Sequence, residues 1–442
     1  MTDKPHPHVL LLGFTVADDL FQHIVARDVV LPTQTHTFAW ALVESVRAAG
    51  CPVRLLSAAP ASTFPRNRQI RFRSGRFEQA GVQGELLGFV NLLGLKHVTR
   101  FLAAVRAGSR ALRQHGDDVL LIHGVHTPFL WFGALAAWRG SARVVPILTD
   151  PPGVVLPDDG RIVRALRRLD HSLVRMALRR CSGVVVLTAA LAEDFAPSLP
   201  RLVMEGICNP PTAQASASGP AGSFDADGPW VASRGPAAGF RDVVYAGGLT
   251  RAYGVDRLVE AFRGMDDPDL RLFLFGRGEL EEWLRTQAKA DPRIAPPELL
   301  DRGGLVRRLA RASVLVNPRP VDQSFVRYSF PSKLIEYLST GIPVVTTRLP
   351  GIPADYDPYL CFAESDTAKG LRDALLRVLA MSPAERGALG SAGAVFVRQT
   401  RGPAAQGERI RSFLVELMTA THRHGRVSTG EGELPQHPLG RR

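Results

Sequence analysis

Short runs of unbroken hydrophobic residues alternate along the chain with longer stretches in which apolar positions return every three to four residues. In the first half "HVLLLGF", "PVRLLSA", "DVLLIHG", "ARVVPILTD", "CSGVVVLT" and "RLVMEGI" read as strands. "TFAWALVESVRAAG" and "TPFLWFGALAAWRG" between them read as helices. Strands that are apolar on both faces and separated by helices predict a parallel sheet covered on both sides. Between Asn209 and Phe240 neither period survives, and Pro, Gly, Ala and Ser dominate, which predicts a linker with a flexible lead-in. The rhythm then restarts with strands "RDVVYAGG", "LRLFLFG", "SVLVNP" and "IPVVTT", interleaved with helical patterns that run on through "GERIRSFLVELM".

The expected fold class is therefore α/β, with two Rossmann-like doubly wound domains facing each other across a cleft. The expected boundaries are 1–208 for the first domain, 209–240 for the linker and 241–400 for the second domain. A helix over 401–420 is placed to cross back to the first domain, and 421–442 is expected as a disordered tail. Ligands of such sheets bind at the carboxyl ends of the strands, so the chemistry is sought just after each strand.

Composition narrows the partners. With 442 residues, 45% hydrophobic and 22% charged, the chain has the make-up of a globular protein with two or three domains. A formal charge of +12 favours anionic partners, although arginine-rich composition also follows from a GC-rich genome. Nucleic acid is not expected as a partner, because aromatic content is low and no recognition motif occurs. Cys51, Cys181, Cys208 and Cys361 show no C-x-x-C spacing, so neither a zinc site nor a disulfide framework is expected. The N-terminal residues do not read as a signal peptide, and no apolar run reaches the roughly 20 residues of a spanning helix. A cytoplasmic protein is expected.

Four motifs carry candidate chemistry. In "YAGGLTRAYG", Gly247 and Gly248 follow a strand and allow backbone N–H groups close to an anion, with Arg251 within reach. By itself a Gly-Gly pair is more often a tight turn. In "YSFPSKLIEYLSTGIPVV", Ser329 is placed to cap a helix and Pro331 to open it, with Leu334, Tyr337 and Leu338 facing the core. Lys333 in a first turn opposes the helix dipole, and ahead of Glu336 it stands in the poorer order for an ion pair. A bound diphosphate reverses that sign, with Ser332 and Lys333 holding phosphate and Glu336 accepting from ribose hydroxyls. "LLIHGVHTPF" ends a strand in His123, read as structural, and His126, aimed at the cleft. Finally, "RIVRALRRLDHSLVRMALRR" is amphipathic, with Ile162, Leu166, Leu169, Leu173 and Met176 on one face and Arg164, Arg168, Arg175 and Arg179 roughly opposite. The ordinary reading is a helix packed on the sheet, but its arginines can also meet anionic lipid.

Together, "YAGGLTRAYGVDRLVEAF", "LFGRGEL", "SVLVNPRP" and "YSFPSKLIEYLSTGIPVVTT" resemble the donor lobe of GT-B glycosyltransferases, in particular family 4 enzymes of bacterial surface-polysaccharide assembly. The resemblance is strongest over about 240–400. It implies a retaining, metal-independent hexosyl transfer from a nucleotide-sugar to a lipid-linked or growing polysaccharide acceptor, with no cofactor, at the inner membrane face. It makes the second domain the donor lobe and the first the acceptor lobe. Glu336 takes the place of the ribose-binding glutamate, and Ser332, Lys333, Gly247 and Gly248 line the diphosphate. His126 faces the donor sugar as the catalytic candidate. Two positions depart from the family pattern. Tyr328 stands where a sugar-contacting glutamate is usual, and Gly248 and Tyr253 replace the usual arginine and lysine, leaving Arg251 as the substitute. Arg319 after "SVLVNP" is a further nucleotide contact, and Asp150 at a strand end is an acceptor-side candidate. The alternatives are a nucleotide-sugar hydrolase or epimerase of the same fold, or a non-catalytic partner of a glycosyltransferase.

Overall fold

The structure, a computed structural model, describes residues 6–28, 33–116, 118–152, 160–208, 241–323 and 325–424. The expected linker at 209–240 lies outside them, as do residues 425–442 of the expected tail. Residues 421–424 of that tail instead continue the last helix.

The first lobe contains β1 (Val9–Gly13), α1 (Asp18–Val25), α2 (Thr33–Ala48), β2 (Val53–Ala58), β3 (Arg71–Phe72), β4 (Gly75–Gln79), β5 (Val82–Leu87) and β6 (Phe89–Val90). It continues with α3 (Leu95–His115), β7 (Val119–His123), α4 (Thr127–Trp138), β8 (Arg143–Leu148), α5 (Arg161–Leu178), β9 (Val184–Val186), α6 (Ala189–Phe195) and β10 (Arg201–Val203). Among the described residues, eight of these strands form one sheet in the order β10-β9-β8-β7-β1-β2-β5-β4. Pairing is parallel except for the antiparallel β4–β5 edge. That edge hairpin, turning at Ala80 and Gly81 with φ of 53° and 71°, is absent from the strand–helix rhythm of the sequence.

Each strand of this sheet divides its side chains between two faces, as period-two geometry demands. In β1, Leu10 and Leu12 join the cluster under α3, α4 and α5, while Val9 and Leu11 join the cluster under α2.

The second lobe contains β11 (Arg241–Ala246), α7 (Val255–Arg263), β12 (Leu270–Phe275), α8 (Glu281–Ala290), α9 (Arg302–Leu309), β13 (Val314–Asn317), α10 (Lys333–Ser339), β14 (Val344–Thr346), β15 (Cys361–Phe362), α11 (Ala368–Ala380) and α12 (Pro383–Arg401). Its parallel sheet runs β12-β11-β13-β14-β15, so the order reverses at β11, the strand that leads into Gly247 and Gly248.

The last helix, α13 (Pro403–His424), leaves this lobe and packs on α2. Its Ile410, Phe413, Leu414 and Leu417 complete the core cluster built on Val9, Leu11 and Val46. The first lobe therefore buries one face of its sheet with a helix from the far end of the chain. No helix among the described residues is long and apolar enough to cross a membrane.

Candidate active site

Separate contacts tie several of the second-lobe candidates to the elements around the carboxyl end of β11. Tyr337, 1% exposed on α10, accepts a hydrogen bond from the Ala246 N–H at 2.7 Å and donates to the Ala246 carbonyl at 2.9 Å. This phenol bolts α10, and with it Lys333 and Glu336, to the strand that ends in the glycine loop. The sequence pattern assigned Tyr337 only to the core; its hydroxyl is the part that the period could not foresee.

Behind the glycines, Gly276 closes the loop from below. Its φ is 144°, and a Cβ there would stand 1.9 Å from the Gly247 carbonyl oxygen, so only glycine fits. Gly254 is equally constrained, with φ of 73° and a Cβ position 2.1 Å from the Pro318 carbonyl.

Arg319 follows β13 and is largely buried. Its guanidinium lies over the Tyr253 ring at 4.6 Å and donates to Ser329 Oγ at 3.1 Å, while its Nε has no partner. Burial pulls its pKa below the usual arginine range. Tyr253, which occupies the position of a family lysine, thus carries a stacked arginine in its place.

Contrary to the sequence reading, Ser329 does not cap α10. It follows the short 3-10 turn Val326–Tyr328, and Ser332 takes the N-cap position without a side-chain cap bond. Pro331 forces this, because it restricts the residue before it to extended backbone and delays the helix start. Arg251 is not held toward the glycine loop. It is 65% exposed and pairs with Asp256 at 3.1 Å, while its backbone N–H donates to Glu279. Lys333 pairs with Glu336 at 3.1 Å, so the two residues assigned to separate ligand groups hold each other.

In the first lobe, His126 precedes α4 and lies edge-on to Phe14 at 5.2 Å and Phe129 at 4.6 Å. Burial, then Arg100, His97 and Lys96, push its pKa well below the usual histidine range, so the ring is neutral at neutral pH. Its Nε2 has no partner. His123 is fully buried, and burial lowers it to about 4. Asp150 is exposed after β8 and accepts from the Thr149 hydroxyl at 2.8 Å.

Tyr328 faces neither the glycine loop nor open solvent. Its hydroxyl donates across the cleft to Asp194 at 2.7 Å, and Arg327 meets the same carboxylate at 3.2 Å. Its ring packs against the core cluster of the first lobe beside Phe195.

The amphipathic helix α5 is turned from its ordinary reading. Val174, Ala177 and Leu178 make its packed face, while Leu166, Leu169 and Met176 are 60%, 56% and 53% exposed. Arg168, Arg175 and Arg179 are exposed on the other flank, whereas Arg164 is half-buried. The side chain of Ile162 lies outside the described residues. Among the described residues, no group of three or more His, Cys, Asp or Glu side chains gathers to hold a metal ion.

Comparison with known proteins bears on both lobes. A family model described as glycosyl transferase 4-like domain matches residues 35–201, and one described as glycosyl transferases group 1 matches residues 241–381. No curated protein sequence matches. Among solved structures, sucrose-phosphate synthase from Thermosynechococcus elongatus superposes with a TM-score of 0.61 at 17% identity, covering 95% of this chain and 100% of that one. The UDP-forming α,α-trehalose-phosphate synthase from Burkholderia xenovorans, solved with glucose-6-phosphate, gives 0.61 at 13% identity over 92% and 100%. Anabaena HepE, solved with UDP, gives 0.55 at 14% over 94% and 100%. With one glycosyltransferase model on each lobe and the two-domain fold shared along nearly the whole length, the chain belongs to the GT-B glycosyltransferases.

Proposed function

We propose that this enzyme moves a sugar, with retention of configuration and without a metal, from a nucleotide-sugar to a lipid-linked or growing polysaccharide acceptor at the inner face of a membrane. The observations that support the donor half are the Tyr253–Arg319–Ser329 contacts and the Tyr337 bonds to Ala246, which anchor the helix that carries Lys333 and Glu336. They bring two cations and a glycine backbone to the carboxyl end of β11, where a nucleotide is bound in doubly wound sheets. The bond that breaks joins the anomeric carbon to a diphosphate oxygen. Negative charge grows on the leaving diphosphate, and cations fixed in advance stabilise that charge most. Helix α10 has only seven residues, so the charges of Lys333 and Arg319 matter more than its dipole. HepE of Anabaena holds UDP, and a nucleoside diphosphate is carried over to this site on that likeness.

Glu336 pairs with Lys333. A diphosphate takes over the lysine and frees the carboxylate for a ribose. His126, neutral and with a free nitrogen, serves a sugar hydroxyl by hydrogen bonding rather than by charge. The membrane half rests on α5, where exposed leucines flank exposed arginines.

Thermal-shift titration with UDP, GDP, ADP and TDP in EDTA tests the donor site. One nucleotide raises the wild-type melting temperature, and Lys333→Ala loses most of that rise. No shift with any of the four at millimolar concentration would refute the donor site, and a shift seen only when EDTA is replaced by a divalent cation would refute metal independence.

A further inference from the structure

The segment after α1 and the loop after β2 border an open hollow of about 520 Å³, lined among the described residues by the exposed Arg27, Arg66 and Arg68 and by Gln69. Its volume is in the range of small-ligand sites. None of the three arginines has a carboxylate partner among the described residues. The nearest acid in sequence, Asp28, is committed elsewhere: its Oδ2 accepts from the Ser62 N–H at 2.6 Å and from Asn67 Nδ2 at 3.1 Å. Those two bonds stitch the end of the α1 segment to the 62–67 loop and so set the arginines around one hollow.

The same loop is held from beneath by cations. Lys96 and Arg100 stand one turn apart on α3, only 6% and 3% exposed. Lys96 donates to the Ala61 carbonyl at 2.7 Å and to Thr63 Oγ1 at 3.1 Å, and Arg100 donates to the Ala59 carbonyl at 2.7 Å. Arg100 Nε, buried between the Phe14 and Phe89 rings, has no partner. Burial and the neighbouring Arg100 lower Lys96 to about 8, and burial lowers Arg100 to about 9. Asp28 opposes this at Lys96, while Arg100 has no carboxylate partner among the described residues, so burying the pair is unfavourable and a bound anion offsets part of that cost.

We propose that this arginine-lined cavity is the seat of the acceptor's anionic group, a phosphate ester or diphosphate. The inference rests on the glycosyl-transfer reading only in calling the occupant an acceptor. It makes Arg27, Arg66 and Arg68 substrate-binding residues and gives Lys96 and Arg100 a positioning role, holding the loop and adding positive potential behind it. The chemistry is shared by a lipid-borne diphosphate and a soluble sugar phosphate.

Inorganic pyrophosphate, titrated calorimetrically at low ionic strength, is the probe. The donor site also attracts it, so the background is Lys333→Ala. That variant is expected to retain pyrophosphate binding, and adding Arg66→Ser and Arg68→Ser to weaken it at least tenfold. Both serines lie on an exposed loop, and an unchanged melting temperature confirms folding. Absence of pyrophosphate binding in Lys333→Ala, or binding that survives the two serine substitutions, overturns the inference. Where binding is lost as expected, competition separates the sources. Farnesyl diphosphate displacing the probe more strongly than glucose 6-phosphate assigns a lipid-borne diphosphate, and the reverse order assigns a soluble sugar phosphate. The part of the nucleotide shift that Lys333→Ala removes reports on the donor site, so either reading can fail without the other.

Discussion

At the scale of single residues, burial holds both His123 and His126 neutral. His123 is the clearest case for a test, because it is buried, unpartnered at Nδ1 and held neutral down to about pH 4. Its unfolded counterpart takes up a proton below about 6.5. The unfolded state therefore binds more protons between those values, and stability present above pH 6.5 is lost as pH falls toward 4. At about 1.4 kcal/mol per pH unit this single ring accounts for about 3 kcal/mol over the window. His126, also depressed, adds in the same direction. Denaturant unfolding at pH 7 and pH 4.5 should show a smaller loss in His123→Gln than in the wild type. Equal losses would mean that another group drives the acid sensitivity.

Residue identity alone revealed part of this site. Lys333 is conspicuous in the sequence because a cation in a first turn has no local reason to be there, and Glu336 lies at the spacing that lets the two meet. The Tyr337 hydroxyl, the stacking of Arg319 on Tyr253 and the reach of Tyr328 to Asp194 were not legible. Each joins residues 66 to 134 positions apart or depends on which way one ring points, and a local pattern carries neither.

At the scale of elements, periodicity located the central strands because each is apolar throughout, which β-pairing between two covered faces requires. It did not find the β4–β5 hairpin, whose exposed positions dilute the apolar signal. Helix α5 teaches a different lesson. Its amphipathic stripe is plain in the sequence, but the side that meets the protein is not, since Val174, Ala177 and Leu178 at its C-terminal end decide the packing. Leu166 and Leu169 are left facing outward, each with apolar area worth about 1 kcal/mol when withdrawn from water, less than the full burial value for leucine. Leu166→Ser with Leu169→Ser should reduce co-sedimentation with phosphatidylglycerol vesicles several-fold while leaving the melting temperature unchanged. A drop in melting temperature with full vesicle binding would show instead that these leucines pack within the protein.

At the scale of the molecule, the two lobes are tied by contacts of different kinds. Near the chain crossing, Arg401 on α12 is 7% exposed and pairs with the buried Glu205 and with Asp355. Gln406 donates to the Gly206 carbonyl at 2.6 Å beside it, and the Cys208 N–H donates to the Arg401 carbonyl at 2.7 Å. Arg401, Glu205 and Gln406 are buried, whereas Asp355 is exposed. Across the cleft, Asp194 meets Tyr328 and Arg327 at the edge of solvent, on the segment that also carries Ser329, Ser332 and Lys333. The first set acts as a hinge and the second as a latch that donor-site residues can feel. Removing one partner of a buried pair costs about 3–5 kcal/mol, whereas a single hydrogen bond contributes about 1 kcal/mol. Arg401→Met should therefore lower the denaturation midpoint strongly. Tyr328→Phe should barely move it, yet increase the radius of gyration measured by small-angle X-ray scattering, because the lobes lose a point of contact without losing their hinge. Should Tyr328→Phe scatter identically to the wild type while Arg401→Met opens the molecule, the hinge contacts alone would set the lobe separation, and Tyr328 would be a packing residue of the first lobe's core.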